Sequence, residues 1–126
     1  VRLQWKQKGS SFPFQPWQFS DGTIRFVCLA TALLQPSPPS TIVIDEPEPG
    51  WHPVALEALS ALVYEASLRT QIVISTQSSQ LLDHFKPEHI IVVERSKDES
   101  VFRRLDKDDL EQWIQDYSPG ERGRPF

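Results

Sequence analysis

The chain has 126 residues, 39% of them hydrophobic and 24% charged, and a net charge of −4. That suits one domain with a modest core and excludes a disordered chain. The negative balance is the wrong sign for a nucleic-acid footprint, no apolar run reaches the roughly 20 residues that a bilayer span demands, and the single cysteine, Cys28, excludes an intrachain disulfide.

The first residues, "VRLQWKQKGSS", lack the apolar stretch of a signal peptide, so the chain is expected to be cytoplasmic, with no membrane partner. There is no methionine, so Val1 is not expected to be an initiator, and the chain reads as a piece of a longer protein or a mature chain whose start has been removed. In "VRLQWKQKGSSFPFQPWQ", Leu3 and Trp5 alternate as on a strand. Phe12, Phe14, Trp17 and Phe19 interleave with proline and polar residues, which predicts an extended stretch packed on the domain. "GTIRFVCLATALLQ" is apolar nearly all round, which predicts a buried helix with Cys28 as an inert core thiol. It opens at "SDG" and stops before the proline-rich "PSPPS".

"TIVID" (41–45), "QIVIS" (71–75) and "HIIVVE" (89–94) are short, continuous and β-branched, the pattern of parallel strands buried on both faces. Between the first two, Leu56, Leu59, Leu62, Val63 and Ala66 recur at helical spacing. Pro53 suits the first helical position, with His52 before it as the cap. The result is a right-handed βαβ unit. "SSQLLDHF" reads as a short helix, and "VFRRL" as a strand hairpinned on Ile90–Glu94 through the polar "RSKDES". Asp106 caps a last helix with Leu110, Trp113, Ile114 and Tyr117 as its stripe, stopped by Pro119-Gly120; "ERGRPF" is a tail.

Two adjacent acids, Asp45 and Glu46, end the first strand. A solvated turn is the plain reading. Yet the crevice beyond the carboxyl ends of parallel strands is where α/β proteins bind ligands. There one acid can hold Mg²⁺, which prefers oxygen and travels with phosphate, and the other can activate a water. His52 with Asp45, Glu46 and Glu48 matches no dedicated metal spacing, and the capping role is preferred. "DKDD" (106–109) is read as a charged helix start rather than a metal motif.

"FSDGT" before a helix, then "TIVIDEPE", "GWHP" and "QIVISTQSSQLLD", in that order, resemble the ABC-type ATPase heads of the RecF and SMC-like branch. The resemblance covers most of the chain. It implies an α/β fold: the C-terminal lobe of a P-loop NTPase-like head over residues 1–118, with a mostly parallel sheet, flanking helices, a short C-terminal hairpin and a helix, followed by a tail over 119–126. It implies that Asp45 holds Mg²⁺ in a Walker B strand and that Glu46 is the general base. "FSDGT" becomes the signature sequence. Ser20, Asp21, Gly22, Thr23 and Arg25 would then contact the γ-phosphate of ATP bound to a second head, in an ATP-gated homodimer. "PEPGWHP" becomes the loop facing that head, where Trp51 would anchor the interface.

The sequence departs from the family in several places. Trp51 and Pro49 stand where smaller or aliphatic residues are expected. Gln77 stands where a histidine ordinarily touches the γ-phosphate; it keeps hydrogen bonding but cannot become a cation. No G-x-x-x-x-G-K-[ST] phosphate loop occurs. The resemblance therefore implies a partner lobe carrying that loop in the same parent protein, ATP hydrolysis only in the parent, and DNA contact only through the parent. The phosphate-loop strand would lie between residues 71–75 and 89–94; without it those two strands are expected to pair directly, rather than admit Leu3–Lys6 or a borrowed strand. The alternative reading is a non-catalytic interaction module derived from an ATPase lobe.

Overall fold

The computed structural model describes residues 3–104, which fall into two compact units divided between Ser75 and Thr76. In the first, α1 (Asp21–Leu34) leads to β1 (Thr41–Asp45), α2 (Pro53–Ser67) and β2 (Gln71–Ser75). β1 and β2 pair in parallel, Thr41 opposite Gln71 through Asp45 opposite Ser75, so the expected βαβ unit is present. His52 caps α2, its Nδ1 accepting from the Val54 N–H at 3.4 Å, and Pro53 takes the first helical position.

The core of this unit is small. Leu33 from α1, Ile44 from β1, and Leu56, Leu59, Val63 and Ala66 from α2 are buried, with Pro47 fully enclosed beside them. Burial along the strands alternates. Ile44 is 6% exposed, whereas the neighbouring Val43 is 72% and Val73 47% exposed. The expectation of strands buried on both faces is therefore corrected: among the described residues, helix covers one face only. The same shortage of cover corrects the reading of α1. Its apolar girth suggested full burial, but α2 lies along one side, Leu33 is its buried residue, and Cys28 is exposed. Before α1 the chain makes one antiparallel bridge, Trp5 with Phe14, through hydrogen bonds of 3.0 and 2.7 Å, and a 3-10 turn at Pro16–Gln18. Phe12 and Trp17 are 80% and 76% exposed, so the predicted packing of this stretch is only partial.

One clasp holds the start of the sheet. Arg69, just beyond α2, donates from Nη1 to the Gln35 carbonyl at 2.9 Å and from Nη2 to the Leu33 carbonyl at 3.0 Å. A cation on the last carbonyls of α1 satisfies acceptors that the helix leaves open and complements its dipole. The adjacent Thr70 is buried and its hydroxyl donates to the Pro39 carbonyl, while Gln71 N–H donates to Ser40 at 3.1 Å. The proline loop is thus pinned to the entry of β2, which fixes the register of β1.

The second unit begins with α3 (Ser79–Leu82), capped by Ser78, whose hydroxyl accepts from Leu81 N–H at 3.2 Å. A 3-10 turn at Pro87–His89 precedes β3 (Ile91–Ser96), which pairs antiparallel with β4 (Glu99–Arg104). His89 belongs to the turn rather than to the predicted strand. The hairpin is present and longer than expected, closing through Lys97-Asp98 with Lys97 at φ 56°. The two-residue turn gives β3 a local partner at a small loop-closure cost. Among the described residues each sheet has two strands, so the expected ladder from Ile72–Ile74 to Ile91–Val93 is not formed, and Trp5 bridges to Phe14. The helix predicted after Asp106 and the tail lie outside the described residues.

The clasp can be tested. Arg69→Ala should lower stability by about 1–2 kcal/mol in urea denaturation, since two hydrogen bonds from a charged group are lost at an exposed site. Arg69→Lys should recover less than half, because an ammonium cannot span both carbonyls as the planar fork does. An unchanged midpoint for Arg69→Ala would show that the clasp contributes nothing.

Candidate functional site

Parallel pairing sets Asp45 opposite Ser75 at the carboxyl end of the sheet. The Ser75 hydroxyl donates to Asp45 Oδ1, which orients the carboxylate. The next residue, Glu46, keeps the ladder for one more step: its N–H donates to the Ser75 carbonyl at 2.9 Å. Its backbone then turns into the left-handed region, φ 40°, which is costly for a residue with a Cβ. The turn swings the chain out of the sheet direction. Asp45 and Glu46 are both exposed at this rim.

Ser20 ends an extended stretch and caps α1. Its hydroxyl accepts from Thr23 N–H at 3.2 Å and lies 2.9 Å from the Thr23 hydroxyl. With Asp21 at the first helical position, the sequence Ser-Asp-Gly-Thr builds a capped helix N-terminus. Such a terminus presents backbone N–H groups and the positive end of the helix dipole.

The loop from Glu46 to His52 joins the two ends. Arg25, one turn into α1, donates from Nη1 to the Pro49 carbonyl at 3.5 Å. Arg25, Asp45, Glu46, Pro47 and Pro49 line one shallow cleft of about 500 Å³. On the other side of the loop, Ser20, Gly22, Thr23, Phe26, Trp51 and His52 border a larger, mostly apolar groove of about 830 Å³ along α1. Trp51 sits between: its ring lies 5.5 Å from that of Phe26 at 59°, a tilted aromatic pair. A Cβ on Gly22 would fall 3.2 Å from Trp51 Cδ1, so glycine lets the indole approach the helix start. The Trp51 Nε1 atom is buried and has no hydrogen-bond partner among the described residues, a deficit of about 1–3 kcal/mol.

Ser20, Asp21, Gly22, Thr23, Arg25, Asp45 and Glu46 thus gather on the first unit, with the two acids and the helix start joined by one loop. Gln77 is exposed and follows β2 in the second unit. The Trp51 ring packs on Gly22 and Phe26 of its own chain. Sequence reasoning missed this contact. The available signal was a glycine at the second helical position together with a tryptophan in a proline-bounded loop. The donors near the cleft are oxygens, which suits a hard cation such as Mg²⁺, and among the described residues no cluster of three or more His, Cys, Asp or Glu forms a metal cage. Among those residues, no helix is long and apolar enough to cross a membrane.

Comparison with known proteins agrees with this architecture. A solved chain from work on ATP-driven dimerisation and DNA-stimulated activation of SMC ATPases superposes with a TM-score of 0.71 at 14% identity, over 90% of this chain and 70% of that one. At that identity the likeness establishes the fold, an α/β arrangement of the P-loop NTPase type like that of an SMC ATPase head. No curated protein matches the chain. Residues 4–83, which include the capped start of α1 and the whole βαβ unit, match the family described as AAA domain, putative AbiEii toxin, Type IV TA system, and the chain belongs to that family.

Proposed function

We infer that this chain is the C-terminal lobe of an ABC-type ATPase head that hydrolyses ATP within an ATP-gated dimer. Both compact units are taken as parts of one lobe over residues 1–118. The family match supports a nucleotide-binding, ATPase-type role in general terms. The observation that carries the finer reading is the placement of Asp45 and Glu46 at the carboxyl rim of parallel strands, one loop away from a capped helix N-terminus.

In this reading Asp45, held by the Ser75 hydroxyl, would hold Mg²⁺, which when bound would neutralise charge on the phosphate oxygens. Glu46 accepts the proton of the attacking water. Its exposed position at the rim leaves the carboxylate accessible to that water. Ser20 and the N–H groups of the first turn of α1 bind the γ-phosphate of a nucleotide held by a second head, with Thr23 and Asp21 shaping that turn and Arg25 adding positive charge. Gln77 contributes a hydrogen bond rather than a charge to a γ-phosphate. The remaining nucleotide contacts belong to a phosphate-loop lobe of the parent, and the second head is another copy of it. The reading places the protein in the cytoplasm.

The reading has direct tests. In the full-length protein, Glu46→Gln should bind ATP and accumulate as a dimer in light scattering, because the base is lost while the shape is kept. Adding Ser20→Arg should abolish that dimer. A double variant that still dimerises on ATP contradicts the assignment of Ser20. The 126-residue chain alone should release phosphate from Mg-ATP no faster than its own Glu46→Gln form.

Capping and phosphate binding at Ser20 can be separated. Ser20→Ala should cost about 1 kcal/mol of stability through loss of the cap. Ser20→Asp should restore that stability, since aspartate also caps, yet block the ATP-driven dimer by repelling phosphate. A Ser20→Asp variant that dimerises normally would leave Ser20 as a cap alone. That result, with Glu46-independent behaviour, favours the rival reading of a non-catalytic interaction module.

A further inference from the structure

We propose that Trp51 is a positioning residue: its ring locks the loop after β1 to the first turn of α1, so that a phosphate captured at Ser20–Thr23 holds the Glu46 carboxylate of the same chain in place. The proposal rests on the roles given above to Ser20–Thr23 and Glu46. It adds a link between them within one chain, and therefore between the two composite sites of the dimer.

The loop is built as a strut. At the sheet end it is fixed by the Glu46 N–H on the Ser75 carbonyl at 2.9 Å. Pro47 is fully buried, and Pro47 and Pro49 each fix φ. The Trp51 N–H donates to the Glu48 carbonyl at 3.0 Å, closing the turn between them. At the helix end the indole rests on Gly22 and Phe26, with Arg25 on the Pro49 carbonyl as a second tie. Gly50 is the one residue of this stretch without a side chain, and the Trp51 N–H on the Glu48 carbonyl spans it. A shift of the α1 start therefore reaches Glu46 instead of being absorbed in the loop.

The contact works through shape. The indole N–H has no partner among the described residues, so its hydrogen bonding supplies nothing that a phenyl ring would lack. A ring of that breadth, seated on a residue without a Cβ, is what fills the space. Glu46 also sits in a left-handed backbone conformation, φ 40°, which needs support from its surroundings to persist.

The test uses the full-length protein. Trp51→Ala should lower kcat about tenfold to a hundredfold with KM within about twofold of the wild type, as expected when a base is misplaced but binding is kept. In the Glu46→Gln background, Trp51→Ala should still give the ATP-driven dimer. Trp51→Phe should retain kcat within about threefold. Hydrogen exchange on that dimer should show ATP-dependent protection of the amides between Glu46 and Trp51 in the parent and in the Trp51→Phe variant, where an aromatic ring remains. Trp51→Ala should show none. Turnover of Trp51→Ala equal to wild type overturns the proposal. So does loss of the dimer in Trp51→Ala, which would make Trp51 an interface anchor. Should Trp51→Ala fail to fold, Trp51→Leu takes its place with the same two outcomes. A wild-type protein that neither dimerises nor turns over ATP defeats the underlying functional reading first, and is distinguished by that.

Discussion

Parallel pairing of β1 and β2 brings the carboxyl ends of both strands to one rim, with Asp45 directly opposite Ser75. Everything chemical in the first unit follows from that geometry. An antiparallel pair would have placed the start of the second strand beside Asp45, and no hydroxyl from residue 75 would reach its carboxylate. Parallel pairing also obliges α2 to carry the chain back over one face, which buries Leu56, Leu59, Val63 and Ala66. The Arg69 and Thr70 clasp then fixes the opposite end, so the register cannot slip without losing bonds to four separate carbonyls, at Leu33, Gln35, Pro39 and Ser40.

The acidic rim and the start of α1 come from distant parts of the chain, and the Glu46–His52 loop is what reconciles them. It carries two prolines, a glycine at φ 80° and a tryptophan. Each has a separate physical duty: the prolines stiffen, Gly50 permits the reversal, and Trp51 rests on the helix. The loop also leads straight into α2, where His52 serves as cap. One short segment thus ends a strand, braces a helix and starts another helix.

Much of this was legible in the residues. The β-branched runs at 41–45 and 71–75, with Leu56, Leu59, Val63 and Ala66 at helical spacing between them, specify a βαβ unit because burial demands those periods. His52 announced its cap because it stands directly ahead of Pro53 and an apolar helical stripe, whereas the caps at Ser20 and Ser78 emerged only with the structure. Burial of α1 was not legible. An apolar surface reports what a helix can cover, and only packed neighbours determine what is covered; Cys28 is exposed for that reason. Nor was the Trp51–Gly22 contact, since no periodicity links two loop-proximal positions far apart in sequence. The hairpin turn at Lys97-Asp98 lacks the glycine or asparagine that usually marks one, so its length was underestimated.

Glu46 has a consequence for how this lobe responds to selection. Its φ of 40° is a conformation that glycine or asparagine adopts with far less strain. A library sorted purely for thermal robustness should therefore discard the glutamate at this position early, and settle on residues that relax the backbone. A library sorted for turnover should keep it and accumulate compensating changes elsewhere, at Val43 or Val73, where exposed apolar side chains leave room for improvement. The two lineages would diverge at the same residue, and the fold's tolerance for that one strained carboxylate sets how far a robust version of the lobe can depart from a working one.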